Sequence, residues 1–309
     1  MLTPRGKQRV TAMSLLVGSV LLRPYVFIFL LVYVALAVRD LGGRRAVLFT
    51  AWVWPVAFLA EFSSTRIGIP FGLYHYTGLT RGQELFISDV PFFDSLSFTF
   101  LAYAAFCLAR AALNSRAPGL APARSVPPAR SVPPARSVPP ARSVPPACSV
   151  PPARSVPPAR SVPAARPRAT LTLALLSGAL MMLLDVVIDP LAVRGDRWFL
   201  GQIFWYPSGG VYFGVPLSNF AGWLIVGALG VGGYMRLARD GNGRSPTGGV
   251  GLYYGVLLFN VVVTAWIGEW MLLLSGLALH LMVVIVVLMS RSSPGFARAI
   301  LGGGLGRRA

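Results

Sequence analysis

Ten carboxylates in a chain of 309 residues are few enough to consider one by one. Asp185 and Asp189 lie four residues apart in an apolar run, so on a helix they share one face. Two like charges this close in a low dielectric do not both ionise readily, and one acid is expected to keep its proton, as a general acid must. In the structural alternative, Asp189 caps a helix before Pro190 and Asp185 pairs with an arginine such as Arg194 or Arg66.

Two more acids, Glu61 and Asp94, lie within or at the edge of apolar segments, where a carboxylate usually faces the bundle interior or a polar cavity. For Glu61, structural and functional roles are equally supported, whereas the Asp-Ser context of Asp94 favours a helix cap. The seven-helix arrangement derived below places eight acids on one membrane face: Glu61, Glu84, Asp89, Asp94, Asp185, Asp189, Asp196 and Glu269. Asp40 and Asp240 fall among basic loops on the other face.

Residues 198–223 are dense in aromatic side chains. They fit either an aromatic belt at the membrane interface or a pocket whose ring faces stabilise a cation. Asn219 and Asn260 are candidates to orient a water molecule or to form interhelical hydrogen bonds. The two histidines, His75 and His280, are far apart in sequence, so we expect no histidine-rich metal site.

The elements that must position these groups are membrane helices. The chain is 55% apolar and only 12% charged, and apolar runs of roughly 20 residues recur along it. Runs of this length predict an all-α, polytopic helical membrane protein with about seven spans (six to eight), because lipid leaves backbone groups no outside partner. The spans are predicted at 15–38, 46–62, 90–110, 169–193, 215–235, 249–267 and 270–289. Arg23-Pro24 and Pro55 predict kinks or an interfacial start, not extra spans.

The chain organisation follows from these spans. Residues 1–114 hold helices 1–3, residues 169–290 hold helices 4–7 in the same membrane domain, and 291–309 form a basic tail. Residues 115–168 form a linker built on the hexapeptide Ala-Arg-Ser-Val-Pro-Pro over positions 123–164. Its two prolines per repeat and lack of large apolar side chains predict disorder, either as a lipid-anchoring tether or as a tolerated expansion.

The net charge of +18 does not predict nucleic-acid binding. Nine arginines lie in residues 115–168, and the others are spread over short loops, so no basic face can follow a phosphate backbone. Loop arginines are concentrated on the side of the linker and C-terminus, which predicts that both are cytoplasmic. We expect a bacterial-type inner-membrane protein in the lipid bilayer.

The chain resembles a known family. The matching positions are Glu61, Gly68, Phe71-Gly72, Tyr74, Tyr76, Asp185, Asp189-Pro190, Trp198, Tyr212 to Pro216 and Asn219 to Trp223. Together they resemble the integral-membrane carotenoid biosynthesis family, whose characterised members are CruF-like carotenoid 1,2-hydratases, including bisanhydrobacterioruberin hydratases. The arginine-proline insertion and Asp94 are departures from the family pattern.

The resemblance implies a hydro-lyase that adds water across the terminal C1,2 double bond of an acyclic ψ-end carotenoid, giving a tertiary alcohol without a cofactor or metal. One of Asp185 and Asp189 would protonate C2, and the other, or Glu61, would steer water onto the cation at C1. The expected substrate-binding residues are Tyr74, Tyr76, Trp205, Tyr212, Phe213, Asn219 and Trp223.

Two other classes of function stay open. A carotenoid cyclase or another enzyme of prenyl carbocation chemistry would use the same acids but exclude water. The second class is non-enzymatic: a transporter, or a scaffold subunit that binds other carotenoid biosynthesis enzymes. A transporter, however, more often has acids near the membrane midplane and contains internal sequence repeats.

Overall fold

A computed structural model of the protein describes residues 11–114, 167–238 and 243–292. Within these ranges the chain forms eight α-helices. They are α1 (Ala12–Leu22), α2 (Pro24–Leu41), α3 (Gly43–Ile67), α4 (Phe92–Asn114), α5 (Pro167–Ala192), α6 (Leu217–Ala238), α7 (Thr247–Trp266) and α8 (Trp270–Ser292). The strands are β1 (His75–Tyr76), β2 (Phe86–Ile87), β3 (Val90–Pro91) and β4 (Phe204–Trp205).

Six of the described helices, α2 to α7, are long and apolar enough to cross a membrane. α1 and the segment Trp270–Ile285 of α8 are shorter apolar stretches. The prediction of an all-α polytopic membrane protein is therefore confirmed, with six long spans in the described ranges in place of seven.

The predicted first span, 15–38, is interrupted at Arg23-Pro24, where a kink was predicted, so it is not one continuous helix. Its residues form two helices, α1 and α2, that meet at Arg23. Proline lacks an N–H, so Pro24 suits the first turn of α2 better than the interior of a continuous helix. The Arg23 side chain is only 3% exposed and binds acids from elsewhere in the fold.

Prolines inside the other predicted spans do not end their helices. α3 continues through Pro55 to Gly68, whose left-handed backbone (φ 74°) forms the C-cap. α5 likewise continues through Pro190 to Ala192. Asp185 and Asp189 consequently lie on one continuous helix, as their spacing predicts.

Glycines set the close packing of α5 against α6. A Cβ atom on Gly178 of α5 would lie 2.9 Å from the backbone nitrogen of Ala228, and one on Gly227 of α6 would lie 2.9 Å from the Cα of Gly178. The two backbones approach this closely because neither glycine has a side chain. This contact brings the acids of α5 next to the beginning of α6.

Two loops are joined across one end of the helices. β1, in the α3–α4 loop, pairs antiparallel with β4, in the α5–α6 loop, with His75 opposite Trp205. Thr77 extends the pairing, since its backbone N–H donates to the Ile203 carbonyl at 2.8 Å and its hydroxyl to the Gln202 carbonyl at 2.7 Å. We call these paired loops the cap.

A buried ion pair fastens the opposite helix ends. Arg110 of α4 binds Asp40 of α2 through two nitrogens, Nη1 to Oδ2 at 2.6 Å and Nη2 to Oδ1 at 3.2 Å. The backbone N–H of Ser245, before α7, donates to Asp40 Oδ1 at 2.8 Å. Asp40 thus ties together α2, α4 and the segment that leads into α7.

Several sequence predictions lie outside the described residues. They are the disordered linker, except its last two residues, most of the basic tail, and the position of Asp240. These remain predictions.

Candidate active site

A cavity of about 130 Å³ lies beneath the cap. It offers roughly ten times the space that one water molecule needs, so an organic group fits. Three carboxyl side chains, Glu61, Asp94 and Asp189, line it together with the amides Asn219 and Asn260. Most of the other lining side chains are aromatic or aliphatic and come from α2, α4, α5, α6, α7 and the cap.

Asn219 joins the two acids of α5. Its Nδ2 atom donates to Oδ2 of Asp185 at 2.7 Å and to Oδ2 of Asp189 at 2.8 Å. Asp189 lines the cavity, whereas Asp185 is fully buried behind it. Among the described residues, Asp185 Oδ1 has no hydrogen-bond partner and neither acid has a salt bridge. Of the two roles considered for Asn219, the interhelical hydrogen bond is the one formed.

The structural alternative for this acid pair is wrong. Asp189 lies inside α5 and does not end the helix. Arg194 pairs with Glu269 at 3.2 Å and also donates to backbone carbonyls, while Arg66 pairs with Asp89 at 2.6 Å. Both arginines that could have neutralised Asp185 are therefore engaged elsewhere.

Glu61 approaches the cavity from α3. It is 4% exposed, and its Oε1 accepts a hydrogen bond of 3.2 Å from the Tyr76 hydroxyl of β1. In the described part of the chain, its Oε2 has no hydrogen-bond partner. Burial raises the pKa of the Tyr76 hydroxyl well above its ordinary value, so Tyr76 acts as a neutral donor. The cap thereby orients one oxygen of Glu61 and leaves the other free.

Asp94 is a cavity residue that the sequence reasoning assigned to a helix cap. It is the third residue of α4, and its carboxylate forms an ion pair with Arg23. Arg23 also binds Glu84 of the α3–α4 loop, Nη2 to Oε1 at 2.8 Å. Burial opposes the charge of Arg23, but Asp94 and Glu84 outweigh it and raise the guanidinium pKa. The only sequence feature that pointed to this ion pair was an arginine beside a proline within an apolar run.

Four of the seven predicted substrate-binding residues line the cavity: Tyr74, Tyr76, Asn219 and Trp223. Trp223 stacks on Phe98 with ring centroids 4.3 Å apart. Phe71 of the cap also packs against Trp223, with ring centroids 6.0 Å apart. Gly222 leaves space for Phe71, whose ring would lie 2.5 Å from a Cβ at that position. These contacts explain why a glycine precedes Trp223.

The other three, Trp205, Tyr212 and Phe213, do not line it. Trp205 is 44% exposed on β4. Tyr212 packs against Phe220 at 5.4 Å, and the Phe213 carbonyl accepts a hydrogen bond from Arg194 at 2.7 Å. These side chains support the cap, and their role in substrate binding stays a prediction.

An aromatic wall between α2 and α7, which the sequence patterns did not predict, also lines the cavity. Tyr25 and Phe259 stack with centroids 4.8 Å apart, and Phe29 packs edge-on against Phe259 at 5.8 Å. All three line the cavity. Ring faces attract positive charge, so a cavity lined by both acids and aromatic rings suits a cationic intermediate in an apolar chain.

Comparison with known proteins gives one finding. A family model described as "Carotenoid biosynthesis protein" matches residues 20–128 and 156–288, which is most of the chain. Neither the curated proteins nor the solved structures provide a match.

Proposed function

The chain belongs to the carotenoid biosynthesis protein family, and from this premise we propose that it hydrates the terminal C1,2 double bond of an acyclic ψ-end carotenoid. The product is a tertiary alcohol, and the enzyme is a hydro-lyase. One observation carries the proposal: two carboxyl groups without a cationic partner among the described residues share the amide of Asn219 at an aromatic cavity.

The acid pair is suited to donate a proton. Two carboxylates held this close in a membrane interior share a proton because the doubly charged state is costly. Asp189 faces the cavity, so we assign it as the donor to C2, with Asp185 as the buried partner that shares the proton before it is donated. The alkene π pair forms the new C2–H bond and leaves a tertiary cation at C1.

Glu61 is placed to direct the water. Its Oε2 has no partner within the described ranges and can accept a hydrogen bond from a water molecule in the cavity. A lone pair of that water forms the C1–O bond, and its released proton passes to Glu61 and returns to the Asp185–Asp189 pair. The net change is addition of one water molecule to one alkene.

The apolar and aromatic lining of the cavity suits a polyene substrate. The aromatic wall of Tyr25, Phe29 and Phe259 stabilises the cation, and the rest of the substrate lies between helices in the bilayer.

We place the protein in a bacterial-type inner membrane with the linker and C-terminus cytoplasmic, beside other carotenoid biosynthesis enzymes. A reporter fused to the C-terminus tests this orientation, and a periplasmic signal would contradict it.

The experiment is pigment analysis by chromatography and mass spectrometry in cells that make a ψ-ended carotenoid. The wild-type chain is expected to add the mass of one water molecule per reacted end, and Asp189→Asn is expected to abolish this gain at equal membrane abundance. Asp196→Asn is the matched control, because Asp196 is an exposed acid outside the cavity lining.

Other outcomes identify other functions. Unchanged pigment mass with shifted absorption would indicate a cyclase. Unchanged pigments with well-folded wild-type protein would contradict hydration of that substrate and favour a transporter or scaffold. Full hydration by Asp189→Asn would remove Asp189 from the chemistry.

A further inference from the structure

Asp94 has a different electrostatic environment from the other acids at or behind the cavity, which are Glu61, Asp185 and Asp189. Asp94 lines the cavity, and its side chain is 19% exposed. Its Oδ1 binds Nη1 of Arg23. The Asp185–Asp189 pair has no such cation among the described residues, and Glu61 has only a tyrosine hydroxyl. Asp94 is thus the cavity acid that the fold pairs directly with a cation.

We propose that Asp94 is a catalytic residue, an ionised counter-charge that stabilises the carbocation, and that Arg23 is a positioning residue that holds it. This inference rests on the proposed hydration and adds a residue to its machinery. Asp94 exchanges no proton during the reaction. It supplies a fixed negative charge toward which positive charge develops.

The charge balance of the cluster supports this role. One guanidinium, that of Arg23, faces two carboxylates, Glu84 and Asp94, through separate nitrogens. The cluster therefore carries a net negative charge when both acids are ionised. Glu84 is fully buried away from the cavity, whereas Asp94 opens into it. Of the two carboxylates that bind Arg23, Asp94 is therefore the one that can present its charge to the substrate space.

The position of Arg23 is fixed by the fold, so the charge is preorganised. The α1–α2 break places Arg23 at the junction. The α3–α4 loop is held there because the Leu85 N–H donates to the Ser19 hydroxyl of α1 at 3.2 Å. A charge fixed before the reaction is effective in a cavity of low dielectric because no reorganisation is needed when the cation forms. A division of labour results, with a proton-sharing pair on α5 and an ion-paired acid on α4.

The two acids of Arg23 provide a matched test. Asp94→Asn and Glu84→Gln each remove one carboxylate from the same arginine with little change of shape, but only Asp94 lines the cavity. Initial hydration rates are measured in membranes that contain each variant at known abundance. We expect Asp94→Asn to lower kcat by about 100-fold with KM little changed, as for loss of one preorganised electrostatic group. Glu84→Gln is expected to lower kcat far less, because it leaves the carboxylate that lines the cavity in place.

Arg23 is tested by conservative rescue. Arg23→Gln is expected to lower kcat, whereas Arg23→Lys, which keeps a positive charge near Asp94, is expected to restore much of it. If Asp94→Asn does not accumulate, Asp94→Glu keeps the ion pair but displaces the carboxylate, and it should lower kcat at least about tenfold.

Equal rates for wild type and Asp94→Asn would overturn this inference while leaving the hydratase intact. Equal losses for Asp94→Asn and Glu84→Gln would also overturn it, because they would show a purely structural ion cluster. Absence of product with wild type would instead overturn the hydration itself, and this inference with it.

Discussion

Asp40→Asn is expected to lower the free energy of unfolding by about 3–5 kcal/mol, the usual cost of leaving one partner of a buried ion pair uncompensated. The side chains of Arg110 and Asp40 are only 5% and 4% exposed. Arg110 uses two nitrogens, and the Ser245 N–H adds a further hydrogen bond to Asp40. An asparagine keeps the volume but leaves the buried guanidinium without a counter-charge.

The chain contains a matched control for this effect. Arg66 and Asp89 form an ion pair with the same 2.6 Å separation as Arg110 and Asp40, but their side chains are 37% and 34% exposed. Water screens such a pair, so Asp89→Asn is expected to cost less than about 1 kcal/mol. The two variants differ in burial far more than in distance, and the comparison isolates the effect of burial.

The assay is reversible unfolding of purified protein in mixed micelles by titration with a denaturing detergent, followed by tryptophan fluorescence. Hydration per folded molecule should be unchanged in Asp40→Asn because Asp40 lies outside the cavity lining. The double variant Asp40→Leu with Arg110→Met should recover most of the lost stability, since it removes both buried charges. Equal losses for Asp40→Asn and Asp89→Asn, or a double variant no more stable than Asp40→Asn, would refute the reasoning.

Two further predictions concern the cap and its surface. Tyr76→Phe removes the hydroxyl that donates to Glu61, and at about 1 kcal/mol for one such hydrogen bond the hydration rate should fall about fivefold. Tyr254→Phe, at an exposed tyrosine, is the control and should leave the rate unchanged. Equal rates for Tyr76→Phe and wild type would contradict the role of Tyr76. Partial burial opposes ionisation of Asp89, but hydrogen bonds from Arg66 outweigh it and lower its pKa. The contribution of Asp89 to the free energy of unfolding should therefore be fully present above about pH 4 and be lost as the pH falls through the lowered pKa. The free energies of unfolding of Asp89→Asn and wild type should then converge in acid. A difference between them that widens in acid would contradict this sign.

Local sequence patterns predicted the features that depend on near neighbours. Apolar run length predicted the membrane helices, and the four-residue spacing of Asp185 and Asp189 predicted their shared face. Both rest on helix geometry alone, which is why they needed no knowledge of the fold. The role of Asn219, which contacts these acids from 34 and 30 residues away, was left open between orienting water and forming an interhelical hydrogen bond.

Features set by distant contacts were not predictable in this way. Arg23 interrupts the first apolar run, and its partners Glu84 and Asp94 are 61 and 71 residues away in sequence. Its role therefore could not be predicted from its near neighbours. The expected pocket residue Trp205 is exposed because β4 pairs with β1, a pairing of two-residue strands with too little local signal to predict. Asp94 was predicted to be a helix N-cap for the same reason, since its partner Arg23 is distant in sequence and cannot be identified from neighbouring residues.

The pairing of β1 with β4 also bears on how this cavity can be redesigned. The α3–α4 loop carries Tyr76, which holds Glu61, and the α5–α6 loop carries Ile203 and Phe204 of the cavity lining. Because the Thr77 N–H and hydroxyl cross from one loop to the other, a shift in either loop displaces side chains contributed by both. Substitutions in the two loops should therefore be non-additive, and libraries that vary them together will reach substrate preferences that single-loop libraries cannot.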